Sequence, residues 1–343
     1  MHITHLNFAK GFRGGERQTQ LLIEQLAQNG IAQKLLVRKG SQLSGRCRDI
    51  ANLEIIEIAK PYILHLKHIK NTTLLHAHET KAAQFAYFAN RLTGIPYIIT
   101  RRVDNAIKNN FLNKKIYSNA TVVVALSKAI KEEILKVAPK AVIEVIPSAY
   151  TDAAVDKAKT AQIKKRFEGK YLIGNVGALD DRHKGQSHLI EAAKELEKSH
   201  PDIHFLFVGS GQDEAKLKAA AQSLSNVTFE GFVNNVNDYI SSFDLFVFPS
   251  NNEGLGSILL DVMQLNVPII ASNVGGIPDI ITNNINGILT PPSDPKSLKK
   301  NILRLYSDKT KSAKLASTAK ESIENFSPQS MQNAYLSLYK AMS

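Results

Sequence analysis

The 343-residue chain is 43% hydrophobic and 22% charged, a globular balance that excludes a disordered chain and suits two domains rather than one. No apolar run approaches the ~18 residues of a membrane-spanning helix, and a single cysteine, Cys47, excludes a disulfide scaffold or a cysteine-rich metal knuckle. The net charge of +12 sits in one half: residues 1–150 hold 22 Lys and Arg against 10 Asp and Glu, and residues 151–343 hold 21 of each.

The N-terminus lacks a basic leader followed by an apolar run, so no signal peptide is expected. It reads as a strand, HITHLNF, a loop with Gly14 and Gly15, and a helix from Glu16 to Asn29. The strands QKLLVR, NLEIIEI and TLLHAH follow, then a helix over Thr80 to Thr93. IPYIITRR, ATVVVALS and VIEVIPS read as further strands, with a helix over Lys128 to Val137. A polar stretch from Thr151 to Gly169 separates this from a second series. There KYLIGNVGAL, IHFLFVGSG, VTFEGF, DLFVFPS, VPIIASNV and GILTP read as strands. Helices are expected over SHLIEAAKELEKSH, QDEAKLKAAAQSLS, Val236 to Ser242, Ser257 to Leu265 and Ile277 to Thr282, and through the remainder. Strands spaced by helices imply βαβ units, and nearly continuous apolar strands imply sheets covered on both faces. The expected fold is α/β, with two doubly wound Rossmann-like domains facing a central cleft. They span 1–150 and 151–327, and the helical segment 328–343 packs on one or the other.

Ligands of such sheets bind beyond the carboxyl ends of the strands, and four loops there carry chemistry. Glu253-Gly254-Leu255-Gly256 follows a strand and precedes a helix, where backbone amides suit a phosphate. Asp261 lies eight positions after Glu253, about 80° around a helix, so both acids address one ligand if Glu253 sits just before the first turn. Lys184-Gly185, with Arg182 nearby, supplies positive charge for a diphosphate, which matters because no metal-binding Asp-x-Asp pair is evident. Gly14-Gly15 opens the first helix but does not form a dinucleotide fingerprint. Arg101-Arg102 ends a strand and places further positive charge at the cleft. His76-Ala77-His78 alternates on one strand and suits a metal pair, yet no third ligand declares itself, so no metal is expected. No serine or cysteine has a nucleophile context.

The one-sided basic half attracts polyanions or an anionic membrane surface. No helix-turn-helix, zinc-finger or RNA-binding signature accompanies it, so nucleic acid is not an expected partner. With its lone Cys47, read as inert, the chain is expected in the cytoplasm, with peripheral contact at the inner face of the membrane.

Along nearly its whole length the chain resembles glycosyltransferase family 4, the retaining GT-B enzymes. The densest match is residues 171–292: GAL with a following Lys-Gly, FVGSG, EGFV, DLFVFPS, the Glu-Gly-Leu-Gly loop, VGGIPDII and NGIL. The first half adds Gly-Gly-Glu-Arg, HAHE and ALSKAIKEEIL, and TRRVD is similar to a bacterial subgroup making lipopolysaccharide and related surface glycans. The resemblance implies a UDP- or GDP-sugar donor bound by the second domain, a glycan or glycolipid acceptor bound by the first, a closing segment 328–343 that packs back on the first domain, and no cofactor or metal; the basic first half then suits a lipid-linked anionic acceptor. It implies that Glu253 meets the donor sugar and that Asp261, where the family has glutamate, holds the ribose. Gly231, Phe232 and Val233 line the base, and Gly14, Gly15 and Gly177 lie near phosphates and sugar. Lys184 matches the family lysine, while Ala178 stands where the family has arginine. Arg182 substitutes, or Arg102 does from the first domain; Arg102 itself occupies a position where many members have histidine. A nucleotide-sugar epimerase or hydrolase, or a non-catalytic nucleotide-sugar-binding protein, are the alternatives.

Overall fold

The computed structural model describes residues 1–151 and 154–342. Asp152 and Ala153, in the expected junction, and Ser343, in the expected last helix, lie outside the described residues. The chain divides into two compact units, Met1–Ala149 with Phe326–Ser343, and Tyr150–Asn325.

In unit 1 the elements are β1 (Ile3–Asn7), α1 (Gly14–Gln28), β2 (Gln33–Arg38), α2 (Gln42–Arg46), β3 (Leu53–Ile58), β4 (Leu74–Ala77), α3 (Thr80–Thr93), β5 (Tyr97–Arg101), α4 (Phe111–Asn119), β6 (Val122–Ala125), α5 (Lys128–Val137) and β7 (Ile143–Val145). The strands pair in parallel in the order β3-β2-β1-β4-β5-β6-β7. The order reverses between β1 and β4, so the loops after β1, β4 and β5 share the edge where ligands of open sheets bind. Ser127 caps α5 by accepting from the Ile130 amide, a serine doing what its short hydroxyl favours at a helix start.

Unit 2 contains α6 (Lys157–Arg166), β8 (Tyr171–Val176), α7 (Asp181–Lys184), α8 (Gln186–Leu196), β9 (Ile203–Val208), α9 (Glu214–Ala220), β10 (Val227–Gly231), α10 (Val236–Ile240), β11 (Leu245–Phe248), α11 (Ile258–Gln264), β12 (Ile269–Ser272), β13 (Ile288–Thr290), α12 (Pro295–Ser307) and α13 (Lys309–Glu321). Its sheet is also parallel, in the order β10-β9-β8-β11-β12-β13, with its reversal between β8 and β11. Ile173, Phe205, Phe207, Leu245, Val247 and Ile270 are buried beneath helices in one core.

The closing helix α14 (Pro328–Lys340) belongs to unit 1 and lies beside α1. Its Met331, Tyr335 and Tyr339, one apolar face at helical spacing, join Leu22, Leu26, Leu74 and Ile98 in a single cluster.

Several elements depart from the sequence reading. The polar stretch contains α6, which buries Ile163 and little else, so it has almost no apolar periodicity to read. Its start is set by Asp156, whose carboxylate accepts from the Ala158 and Lys159 amides. Helix α4 and a 3-10 segment over Tyr62–Ile69 were likewise not read, and the helix expected at Ile277 to Thr282 is one 3-10 turn, Ile277–Asp279. Because α11 begins only at Ile258, Glu253 stands well outside it, and the shared-helix geometry expected for Glu253 and Asp261 does not apply.

Candidate active site

On the β8/β11 edge of unit 2, Lys184 and Glu253, 69 residues apart, form an ion pair. Lys184 ends the short helix α7, and its ammonium also lies 5.2 Å from the Phe248 ring. The Glu253 loop is pinned from both sides: the Asn251 and Asn252 amides donate to the His183 carbonyl at 2.9 and 3.2 Å, and the Gly276 amide donates to the Glu253 carbonyl at 3.0 Å. Gly185 allows this closeness. It adopts φ +61°, and a Cβ there would fall 2.3 Å from the Pro249 carbonyl oxygen. Arg182 is exposed beside them, and Gly254, Leu255 and Gly256 are buried.

The neighbouring loops complete the edge. Gly177 follows β8 and donates to the Val208 carbonyl at 3.0 Å, and Gly209 donates to the Gly231 carbonyl at 2.8 Å. Phe232, just past β10, is 71% exposed, a large apolar ring left uncovered beside Gly231 and Val233. Asp180 Oδ1, Gln186 Oε1 and Ser250 Oγ are buried near these loops without a hydrogen-bond partner. Unsatisfied buried polar atoms are rare in native proteins, and their presence here suits a polar ligand. Asp261 is buried, and its Oδ1 accepts from the Thr151 amide and hydroxyl, both at 2.7 Å. That carboxylate therefore anchors the start of unit 2.

Unit 1 brings a second group together at its own switch point. Gly14 and Gly15 open α1, and a Cβ on Gly15 would meet Arg102 Cδ at 3.3 Å, so the missing side chain makes room for the arginine. Arg102 is partly buried, and burial pulls its guanidinium below its ordinary value, against the pull of Tyr335, Glu16 and Tyr339. Its Nη2 lies 3.4 Å from His78 Nδ1. Arg101, by contrast, is spent on structure, donating to the Tyr117 hydroxyl at 3.1 Å and to the Asn105 carbonyl.

His76 and His78 do face one side of β4, and the sheet supplies the third histidine that local sequence lacked. His5 on β1 is in register with His76. Ring nitrogens of His5, His76 and His78 come within 4.8 Å of one another. Each is already hydrogen-bonded: His5 Nδ1 to His78 Nε2 at 3.0 Å, His5 Nε2 to Gln33 Oε1 at 3.0 Å, and His76 to the Tyr339 and Thr100 hydroxyls at 2.7 Å each. A guanidinium on the remaining nitrogen opposes a cation, so this is a hydrogen-bond network first. Sequence reasoning missed His5 and Gln33 because only the order β2-β1-β4 joins them to His78.

Burial lowers all three histidines: His5 to about 4, opposed by its bond to Gln33, and His76 and His78 well below the usual value. Between pH 4 and 6.5 the unfolded chain therefore binds more protons than the folded one, and stability must rise with pH. His5 alone accounts for about 3 kcal/mol, fully present above pH ~6.5. The melting temperature of unit 1 is expected to fall steadily from about pH 6.5 to pH 4.5; a level melting temperature across that range would contradict neutral buried histidines. Cys47 is buried too, its thiol pushed up to about 12 by burial and by Glu24, so it stays protonated and inert.

Comparison with known proteins matches both units. The family described as Glycosyltransferase Family 4 matches residues 12–151, and the family described as Glycosyl transferases group 1 matches residues 156–322. A lipopolysaccharide core biosynthesis glycosyltransferase of Rhizobium meliloti is 23% identical over 98% of each chain. An uncharacterized glycosyltransferase of Methanocaldococcus jannaschii is 25% identical over 79% of this chain and 76% of its own. Among solved structures, Anabaena HepE in complex with UDP-glucose superposes with a TM-score of 0.89 at 17% identity, covering 99% of this chain and 100% of that one. Parallel doubly wound sheets in both units, a glycine-loop edge bearing Lys184 and Glu253, and family matches that run through both halves lead to one conclusion: the chain is a glycosyltransferase of family 4 with the GT-B fold.

Proposed function

We propose that the protein transfers a sugar from a UDP- or GDP-sugar to a glycan or glycolipid acceptor with retention of anomeric configuration, in lipopolysaccharide or other surface-polysaccharide synthesis. The observation that carries this is the Lys184–Glu253 pair on the β8/β11 edge. A cation stands where a leaving diphosphate gains charge, and an acid stands where sugar hydroxyls need an acceptor. Arg182 and Gly177 share the diphosphate with Lys184. Glu253 and the loop Gly254–Gly256, with Leu255, meet the sugar; Asp261 holds the ribose; Gly231, Phe232 and Val233 take the base. In unit 1, Arg102 with Gly14 and Gly15 receives anionic substrate. No metal or cofactor enters this scheme.

In the reaction the bond from the anomeric carbon to the diphosphate oxygen breaks. The acceptor oxygen bonds to that carbon from the same face, and its proton passes to a phosphate oxygen. Lys184 and Arg182 stabilise the departing charge, so no protein nucleophile is needed. The UDP-glucose held by the Anabaena protein makes a uridine diphosphate sugar the first donor to try. Proton NMR of the earliest product tests the stereochemistry: the donor's anomer should persist, and the opposite anomer would overturn retention.

Charge and exposed apolar residues in unit 1 support one class of acceptor. Between Lys60 and Asn119 the chain carries ten Lys and Arg against two acids, Glu79 and Asp104. The same stretch exposes Leu64 at 73% and Phe111 at 76%, with Phe88 and Leu92 also exposed, on segments neighbouring α3. No helix among the described residues is long and apolar enough to cross a membrane. Basic residues beside exposed apolar tips suit a phosphorylated, lipid-linked acceptor met at an anionic surface. Sedimentation with vesicles containing phosphatidylglycerol should show binding that falls steeply from 50 to 300 mM salt; absent or salt-insensitive binding would favour a soluble acceptor.

A further inference from the structure

We propose that Gln33, His5 and His78 form a one-directional hydrogen-bond relay that fixes the guanidinium of Arg102, which makes them positioning residues for the reaction. Its activity arm rests on the reading of Arg102 as a substrate-binding group.

The direction of the relay is determined link by link. Gln33 Nε2 donates to the Ile23 carbonyl of α1 at 2.9 Å, an acceptor that only the amide nitrogen satisfies. Gln33 therefore presents its oxygen to His5 Nε2, 3.0 Å away, and that nitrogen carries the proton. A neutral imidazole has one N–H, so His5 Nδ1 is bare and accepts from His78 Nε2 at 3.0 Å. His78 Nδ1 is then bare in turn and accepts from Arg102 Nη2 at 3.4 Å. Reversing any one link reverses the next, and the final reversal sets an N–H of His78 against an N–H of Arg102. No such constraint comes from a carboxylate, because no Asp or Glu pairs with Arg102 among the described residues. The backbone of α1 thus fixes the arginine through three side chains on β2, β1 and the end of β4.

The surroundings keep the relay neutral. His5 faces His76 and His78 from β4 and Gln33 from β2, with Arg102 beyond β5. Tyr335 and Tyr339 close the group from α14, and Glu16 on α1 is the acid that acts on Arg102. His5, His76 and His78 are at most 4% exposed, so none takes a second proton near neutral pH.

The test has two arms. In the first, the full chain with nitrogen-15 histidine is examined at pH 7 without substrate, by long-range proton–nitrogen correlation. His5 and His78 should both appear as Nε2–H tautomers, and Gln33→Leu should lose that uniform assignment while the chain stays folded. An Nδ1–H tautomer on either residue in the unmodified protein overturns the relay. In the second, transfer is measured against pH for Gln33→Glu. Protonated, its carboxyl reproduces both hydrogen bonds of the amide. Ionised, it repels the Ile23 carbonyl and draws a second proton onto His5, which turns His78 against Arg102. The variant should therefore lose at least tenfold in rate as pH rises through a range where the unmodified enzyme is level. Parallel pH profiles would overturn the positioning role. Normal transfer by Arg102→Ala would instead remove Arg102 from the proposed reaction, and the tautomers, read without substrate, would still decide the relay.

Discussion

Lys184→Ala is expected to lower the turnover of glycosyl transfer by about 100-fold or more, the scale seen when one preorganised group facing developing charge is removed. Glu253→Ala is expected to do the same through the other half of the pair. Stability does not account for the loss. The side chains of Lys184 and Glu253 retain 25% and 16% of their exposure, so the pair is partly buried, and losing it costs about 1.5–3 kcal/mol, too little to unfold a chain of ordinary stability. The two effects differ in kind. In the proposed reaction Lys184 acts on charge that grows as the bond to phosphate breaks, so its loss should fall on kcat. Glu253 is proposed to meet the sugar before and during transfer, so its loss should also raise the donor KM. Both variants should remain folded at the assay temperature. Near-normal turnover in both would remove this pair from the reaction.

Gly209→Ala is expected to destabilise unit 2 by about 3 kcal/mol or more, lowering its melting temperature by about 10 °C. Gly209 sits at φ +138°, and a Cβ there would fall 1.9 Å from the Gly177 carbonyl oxygen. That atom is backbone, held by the Gly177 amide's own bond to Val208 at 3.0 Å, so it has little freedom to retreat. The substitution combines a disfavoured dihedral with a steric overlap, and it separates the β8 and β9 loops on the candidate donor edge. Gly14→Ala is the matched control, because nothing lies within 4 Å of a Cβ at Gly14. Scanning calorimetry of the two variants checks the contrast, and equal melting temperatures would contradict the close backbone approach.

The fold was legible because apolar strands such as LFVF and IIAS declare themselves as buried parallel strands, and capping residues such as Ser127 mark helix starts. What local pattern did not carry was α6, whose single buried side chain leaves no periodicity, and the offset of Glu253 from α11. In the candidate site, Lys184 and Glu253 could each be picked out from a glycine loop, but their pairing depends on β8 lying beside β11. The histidine network was half visible. His76 and His78 alternate on one strand, whereas His5 and Gln33 join them only through the order of the sheet, and no residue type or spacing near either position announces it.

The most direct test of the account is nucleotide release from a panel of UDP- and GDP-sugars, each with and without a bacterial membrane lipid extract. The account predicts that one donor releases its nucleotide only when the extract is present, with sugar recovered on an extract component. Release at the same rate without extract would identify a hydrolase or epimerase, and binding without release would identify a nucleotide-sugar-binding protein; either would contradict the proposed transfer.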